Sequence, residues 1–131
     1  MKKNISVYVA LAADIIHDGH INILKIASRY GKVTVGLLTD KAIASYKRFP
    51  YFTYKQRYVI VKNLKYVDKV IPQNTSDYSF NLNLIKPQFV VHGDDWKQGV
   101  NKKVRQKVIN TIKKWSGKLI EPKYTKNISS S

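Results

Sequence analysis

The stretch Ala12-Ala13-Asp14-Ile15-Ile16-His17-Asp18-Gly19-His20-Ile21 decides the fold of this chain. Before it, Ile5 to Ala12 is a β-branched, nearly unbroken apolar run, the pattern of a central parallel strand buried on both faces. After it, Gly19 to Tyr30 carries Ile21, Leu24 and Ala27 at helical spacing, and Gly31 is the expected cap. Two of the chain's three histidines flank a glycine at this strand-to-helix turn. A helix N-terminus offers unpaired N–H groups and the positive end of its dipole, so imidazole donors beside it suit a polyphosphate.

The alternation continues outward from this turn. Lys32 to Leu38 reads as a second strand. Thr39 to Tyr51 has no clean period and reads as a basic loop preceded by a short helix. Thr53 with Gln56 three residues on forms a capping-box pattern, opening a helix to about Leu64. Val67 to Ile71 is a third strand ended by Pro72, and Tyr78 to Ile85 a helix. Phe89 to His92 is a fourth strand with Gly93-Asp94-Asp95-Trp96 at its carboxyl end. Val100 to Trp115 is a basic amphipathic helix, and Lys118 to Ile120 a fifth strand. The order predicts an α/β protein: a three-layer α/β/α Rossmann-like fold on a five-stranded parallel sheet. Ligands of such sheets sit beyond the carboxyl strand ends, where strand order reverses. Both the His-Gly-His turn and the Gly-Asp-Asp-Trp segment fall on that edge.

At 131 residues and 44% hydrophobic, residues 1–131 read as one domain with a real core. The formal charge of +16, from 24 Lys and Arg against 8 Asp and Glu, admits nucleic acid, an anionic membrane surface, small phosphorylated ligands or plain compositional bias. The absence of cysteine excludes disulfides and thiolate metal sites, and a cytoplasmic location is the simple expectation. Lys2-Lys3 followed by Val7 to Ala13 resembles a secretory signal, but Asp14 follows at once and cleavage would remove the first strand. No stretch approaches the ~20 apolar residues of a membrane span, so no membrane partner is expected.

His17-Asp18-Gly19-His20 resembles the His-X-Gly-His motif of the nucleotidyltransferase superfamily, whose fold is the HUP type. Ala12-Ala13-Asp14, Tyr54-Lys55-Gln56-Arg57, Tyr66-Val67-Asp68-Lys69-Val70-Ile71-Pro72, Gly93-Asp94-Asp95-Trp96 and Ile128-Ser129-Ser130-Ser131 resemble motifs of the glycerol-3-phosphate cytidylyltransferase type, in family order. Val33 to Asp40, Ile43 to Lys47 and Val91 to Trp96 look closer to the cytidylyltransferase domain fused to phosphoenolpyruvate mutases of phosphonate biosynthesis. That resemblance implies CMP transfer from CTP to 2-hydroxyethylphosphonate or 2-aminoethylphosphonate with release of pyrophosphate. Glycerol 3-phosphate and phosphoethanolamine are the alternative acceptors. It also implies a homodimer, a possible fused mutase domain, and this chain as the N-terminal part of a longer one.

Carried over by position, the resemblance makes His17, His20 and Lys47 catalytic. It assigns Ala12, Ala13, Asp14, Gly19, Arg57, Asp94, Trp96, Ile128, Ser129 and Ser130 to the nucleotide, and Arg48 and Lys123 to the acceptor. Plainer readings stand beside these. Lys47 can be a solvated loop lysine, Arg57 an exposed first-turn residue, Trp96 core, and the serines a polar tail. His92 reads as a satisfied buried histidine. Two departures loosen the glycerol-phosphate match: Lys123 stands where an arginine is expected, and Asn127 replaces a glycine. Lysine keeps the charge but loses the bidentate fork.

The mechanism these residues predict is direct in-line attack on the α-phosphorus, since no activated nucleophile is present. Mg²⁺ is expected with CTP, held by the triphosphate with Asp14 or a water nearby, and no protein metal cage is expected. A basic nucleic-acid-binding module is the reading from a different class. It lacks a recognisable motif, so no nucleic-acid partner is expected.

Overall fold

The structure, a computed structural model, describes residues 4–46, 48–97 and 101–123. The chain alternates as β1 (Ser6–Leu11), α1 (Asp18–Ser28), β2 (Lys32–Leu38), α2 (Asp40–Ala44), α3 (Tyr54–Lys62), β3 (Lys69–Gln73), α4 (Ser79–Ile85), β4 (Phe89–Val91), α5 (Lys102–Ile112) and β5 (Lys118–Ile120). The strands form one sheet in the order β3-β2-β1-β4-β5, and every pairing is parallel. The α/β expectation, with a five-stranded parallel sheet, therefore holds.

Strand alternation separates two apolar layers. Val7, Val9 and Leu11 of β1 pack with Leu24 and Ala27 of α1 and Val61 of α3. Tyr8 points the other way, against Tyr78, Leu82 of α4, Trp96, and Val108 and Ile112 of α5. Ala10 and Ala12 share that second face with Ala42 and Ile43 of α2. Buried on both faces, β1 reads as a continuous apolar run, as a central parallel strand must. The chain leaves β1 for β2 and β3 on one side and returns to β4 and β5 on the other. The crevice between the ends of β1 and β4 is thus the switch point.

Three of the differences from the expected boundaries have a clear physical reason. Pro72 lies inside β3, opposite Leu37, because β3 is an edge strand whose outer N–H groups need no partner. Helix α1 ends at Ser28 with right-handed Arg29 as its cap. Gly31 is needed instead for close approach, since a Cβ there would collide with the Ile5 carbonyl. Helix α5 continues past Ile112 as a 3₁₀ turn, Lys113–Trp115, and its expected first residue, Val100, lies outside the described residues. The capping box of α3 is present in full: Gln56 N–H donates to Thr53 Oγ1 at 3.2 Å, and Thr53 N–H to Gln56 Oε1 at 2.9 Å. Among the described residues no helix is long and apolar enough to cross a membrane.

Beneath the switch point the Tyr8 phenol, wholly buried, donates to Gln73 Oε1 and accepts from Asn81 Nδ2 at 2.9 Å. This phenol lies under Gly36, on whose Cα there is no room for a methyl group. Gly36→Ala should force the ring aside and cost about 1–3 kcal/mol, the range for overpacking a full core. Differential scanning calorimetry would read this as a Tm lower by several degrees.

Candidate active site

The first turn of α1 is capped by imidazoles. His17 takes the N-cap position with extended backbone, and its Nδ1 accepts the Gly19 N–H at 3.0 Å. His20 closes the box: its Nδ1 accepts the His17 N–H at 3.2 Å. An imidazole nitrogen that accepts a backbone proton carries none of its own, so each ring holds its proton on Nε2. The rings lie with centroids 4.1 Å apart. Both line a cavity of about 620 Å³ at the switch point, together with Ala12, Gly19, Gln73 and Trp96. A local capping rule has thereby fixed two imidazoles on the wall of this cavity beside a helix start.

The end of β1 is bent sharply, with Ala13 at φ 55° in the left-handed region. That conformation costs a non-glycine residue roughly 1–2 kcal/mol, and the contacts of the next residue hold it in place. Asp14, with a side chain 6% exposed, accepts from Tyr51 N–H at 2.9 Å and Phe52 N–H at 3.0 Å. Arg48 Nη1 donates to it at 3.1 Å and stacks 4.1 Å over the Tyr51 ring. Burial opposes its charge, but these three donors outweigh burial and hold the carboxyl below its usual range.

Arg57 is wholly buried in the first turns of α3. Its Nη1 donates to the Ala12 carbonyl at 2.7 Å and the Leu38 carbonyl at 2.6 Å. Its Nε reaches Phe52 O at 3.0 Å, and Nη2 pairs with Asp40 at 2.6 Å. The plain expectation of an exposed first-turn residue gives way to a brace across the ends of β1 and β2, and Arg57 is absent from the lining of the cavity.

On the far side of the crevice, Trp96 is buried and its ring stacks on His92 at 3.7 Å and 6°. Burial pushes the His92 imidazole down, so it is neutral near pH 7. Its Nδ1 lies 2.7 Å from the Gly93 carbonyl, to which it donates. The 3₁₀ turn Asp94–Trp96 places Asp95 rather than Asp94 on the cavity, 3.9 Å from His92 Nδ1.

Of the residues expected from sequence, the cavity gathers Ala12, His17, Gly19, His20 and Trp96. Ala13, Asp14, Arg48, Arg57, Asp94 and Lys123 are absent from its lining, and Asp14, Arg48 and Arg57 act on the loops around it. Lys47, Ile128, Ser129 and Ser130 lie outside the described residues. Sequence reading did not single out Gln73, Tyr78 or Asp95, which also line the cavity. Asp95 stands in a segment already singled out, but which of two adjacent aspartates faces inward is settled only by the turn.

A Rossmann-like parallel sheet with a histidine-capped helix at its switch point defines a nucleotide-handling α/β domain of the HUP type. Residues 12–131 match the cytidylyltransferase-like family, and the chain belongs to it. It is 37% identical to an ethanolamine-phosphate cytidylyltransferase of Dictyostelium discoideum over 99% of this chain and 36% of that protein. It is 31% identical to the glycerol-3-phosphate cytidylyltransferase of Bacillus subtilis, over 64% of this chain and 67% of that one. An FAD synthase of Methanopyrus kandleri is 37% identical over 63% of this chain and 57% of its own. The chain thus spans about a third of the Dictyostelium protein and just over half of the Methanopyrus one. Among solved structures, a lipopolysaccharide core biosynthesis protein from Thermoplasma volcanium superposes with a TM-score of 0.75 at 26% identity, covering 92% of this chain and 98% of that one. A universal stress protein in complex with cAMP, at 12% identity and TM-score 0.53 over 92% of this chain and 98% of its own, shares the fold alone.

The braces have two measurable consequences. The depressed Asp14 carboxyl stabilises the fold fully above its unfolded value near pH 4, and this contribution is lost as pH falls through the lower folded value. Hydrogen exchange at the Tyr51 and Phe52 amides should therefore accelerate, beyond its intrinsic pH dependence, only below about pH 4. Asp14→Asn should show that acceleration at neutral pH. Arg57→Met strands two strand-end carbonyls and should cost about 3–5 kcal/mol, measured by urea unfolding.

Proposed function

We propose that this domain transfers CMP from CTP to a small phosphate-bearing acceptor, phosphoethanolamine foremost, with release of pyrophosphate. The observation that carries the reading is the reciprocal imidazole cap of α1, whose two rings line the switch-point cavity. An acceptor phosphate oxygen attacks the α-phosphorus in line. A new P–O bond forms as the bond to the β-phosphate oxygen breaks, and pyrophosphate leaves with that electron pair. The attacking oxygen is ionised at neutral pH, so no general base is required. Catalysis then rests on positioning and on donors aimed at oxygens whose charge grows in the transition state. His17 and His20 supply such donors without a protonation change. Lys47, Ser129 and Ser130 are assigned to the phosphates by family resemblance alone.

The donor set does not fit a metal ion held by protein. Among the described residues no three His, Asp or Glu side chains converge on one position, and both Asp14 oxygens are already taken by the 48–52 loop. A divalent ion would come with the nucleotide, as part of the substrate.

Acceptor choice follows from charge. Asp95 is the sole carboxylate among the described lining residues, and among those residues no Lys or Arg pairs with it. The rings of Tyr46 and Tyr78 line the same cavity. A carboxylate among aromatic rings favours an ammonium head over a diol. The named relatives include a phosphoethanolamine and a glycerol-3-phosphate enzyme but no phosphonate enzyme, so the phosphomonoester reading takes precedence over the phosphonate branch. A homodimer remains part of the proposal through the family.

The test is pyrophosphate release from CTP with phosphoethanolamine, glycerol 3-phosphate, 2-aminoethylphosphonate and 2-hydroxyethylphosphonate. Turnover is expected with phosphoethanolamine, and His17→Ala or His20→Ala should each lower kcat by about 10²–10³, the loss seen when one transition-state donor is removed. Turnover confined to glycerol 3-phosphate would overturn the acceptor, and none with any of the four would overturn the activity. Asp95→Asn should lower kcat/KM for phosphoethanolamine about tenfold and leave glycerol 3-phosphate unaffected.

A further inference from the structure

One carboxylate outside the cavity holds the wall that bounds it. Glu121 lies one residue beyond β5 with a side chain 12% exposed. Its Oε2 accepts from the Trp96 indole Nε1 at 2.7 Å and from Arg105 Nε at 2.7 Å. Its Oε1 accepts from Arg105 Nη2 at 3.0 Å, completing a bidentate fork. Lys97 Nζ stands 4.0 Å away, and Arg105 holds the carboxyl below its usual range. The Asp94 N–H also donates to the Pro122 carbonyl at 3.1 Å, so the backbone beside Glu121 and the 94–96 turn are joined directly. A planar indole held at its one polar atom cannot turn about its ring axis, and this indole carries His92 stacked upon it. Trp96 and His92 line the cavity, whereas Glu121 and Arg105 do not.

We propose that Glu121 is a positioning residue of the nucleotide site: its clamp on Trp96 and Arg105 sets the Trp96–His92 wall in the form that receives CTP. The clamp joins three elements distant in sequence: α5, the turn after β4, and the exit from β5. It rests on the proposed reading of the cavity as a CTP site.

The experiment uses the Trp115→Phe chain, in which Trp96 is the one remaining tryptophan. Glu121→Ala should raise the CTP concentration for half-saturation about tenfold, the factor that loss of one charge-assisted hydrogen bond corresponds to. kcat should stay within about threefold of the parent, because the reacting groups are untouched. Trp96 emission should shift to the red and become open to acrylamide quenching. Glu121→Gln keeps an acceptor oxygen for the indole and should recover most of the CTP affinity and the emission. A folded alanine variant with unmoved half-saturation and unmoved emission overturns the clamp, as does a glutamine variant no better than alanine. Should the alanine variant fail to fold, Arg105→Gln decides: it removes the fork alone, and an unchanged CTP half-saturation there overturns the proposal. If the parent chain binds no CTP, the proposed cytidylyl transfer fails, while the Trp96 emission still decides whether Glu121 holds the wall.

Discussion

Parallel strands that all end on one side leave a row of carbonyls there, and at the switch point those carbonyls border the space a ligand needs. In this protein the Arg57 guanidinium takes the last of them. It binds the Ala12 and Leu38 carbonyls, which continue β1 and close β2, together with Phe52 O and Asp40. A charge wholly removed from water is costly unless every donor is matched, and here four acceptors converge on it. The consequence is rigidity at the place where a floppy loop would ruin a phosphate site. Asp14 extends the same logic outward, gathering two amides and Arg48 to hold the 48–52 loop against the bent end of β1.

Within that frame the chemistry is assembled from a secondary-structure device. Helix starts need acceptors for their first N–H groups, commonly supplied by Ser, Thr, Asp or Asn. Here two histidines serve as the acceptors through Nδ1, and the requirement that Nδ1 be unprotonated leaves Nε2–H on each ring. Cap geometry and protonation state are thus one fact. The proposed transition-state donors need no separate device to choose their tautomers, because the fold chooses them when α1 forms.

The far wall is built from distant parts of the chain. The His92–Trp96 stack depends on Glu121 and Arg105, which lie 25 and 16 residues from their partners in the Trp96–Glu121 and Arg105–Glu121 bonds. The basic excess of +16 is carried largely outside the cavity, whose described lining contains one acidic side chain and no Lys or Arg. Neutral imidazoles at the helix start line the cavity, with the general positive field of the chain behind them.

The sequence by itself determined the order of elements, the buried centre of the sheet, the strand-to-helix turn with its two histidines, and the α3 capping box. These are local: they depend on apolar periodicity over a few turns and on hydrogen bonds three residues apart. It also named the edge of the sheet on which a ligand sits, because topology places all carboxyl ends together. What it did not determine is where each charged side chain goes. Arg57 reads as an exposed first-turn residue until the ends of β1 and β2 arrive beside it. Asp94 and Asp95 differ only by rotation about a short turn, and Glu121 has no neighbour in sequence that hints at Trp96. A side chain's partner across the sheet is chosen by packing of segments far apart in the chain, and only the tertiary structure supplies that distance.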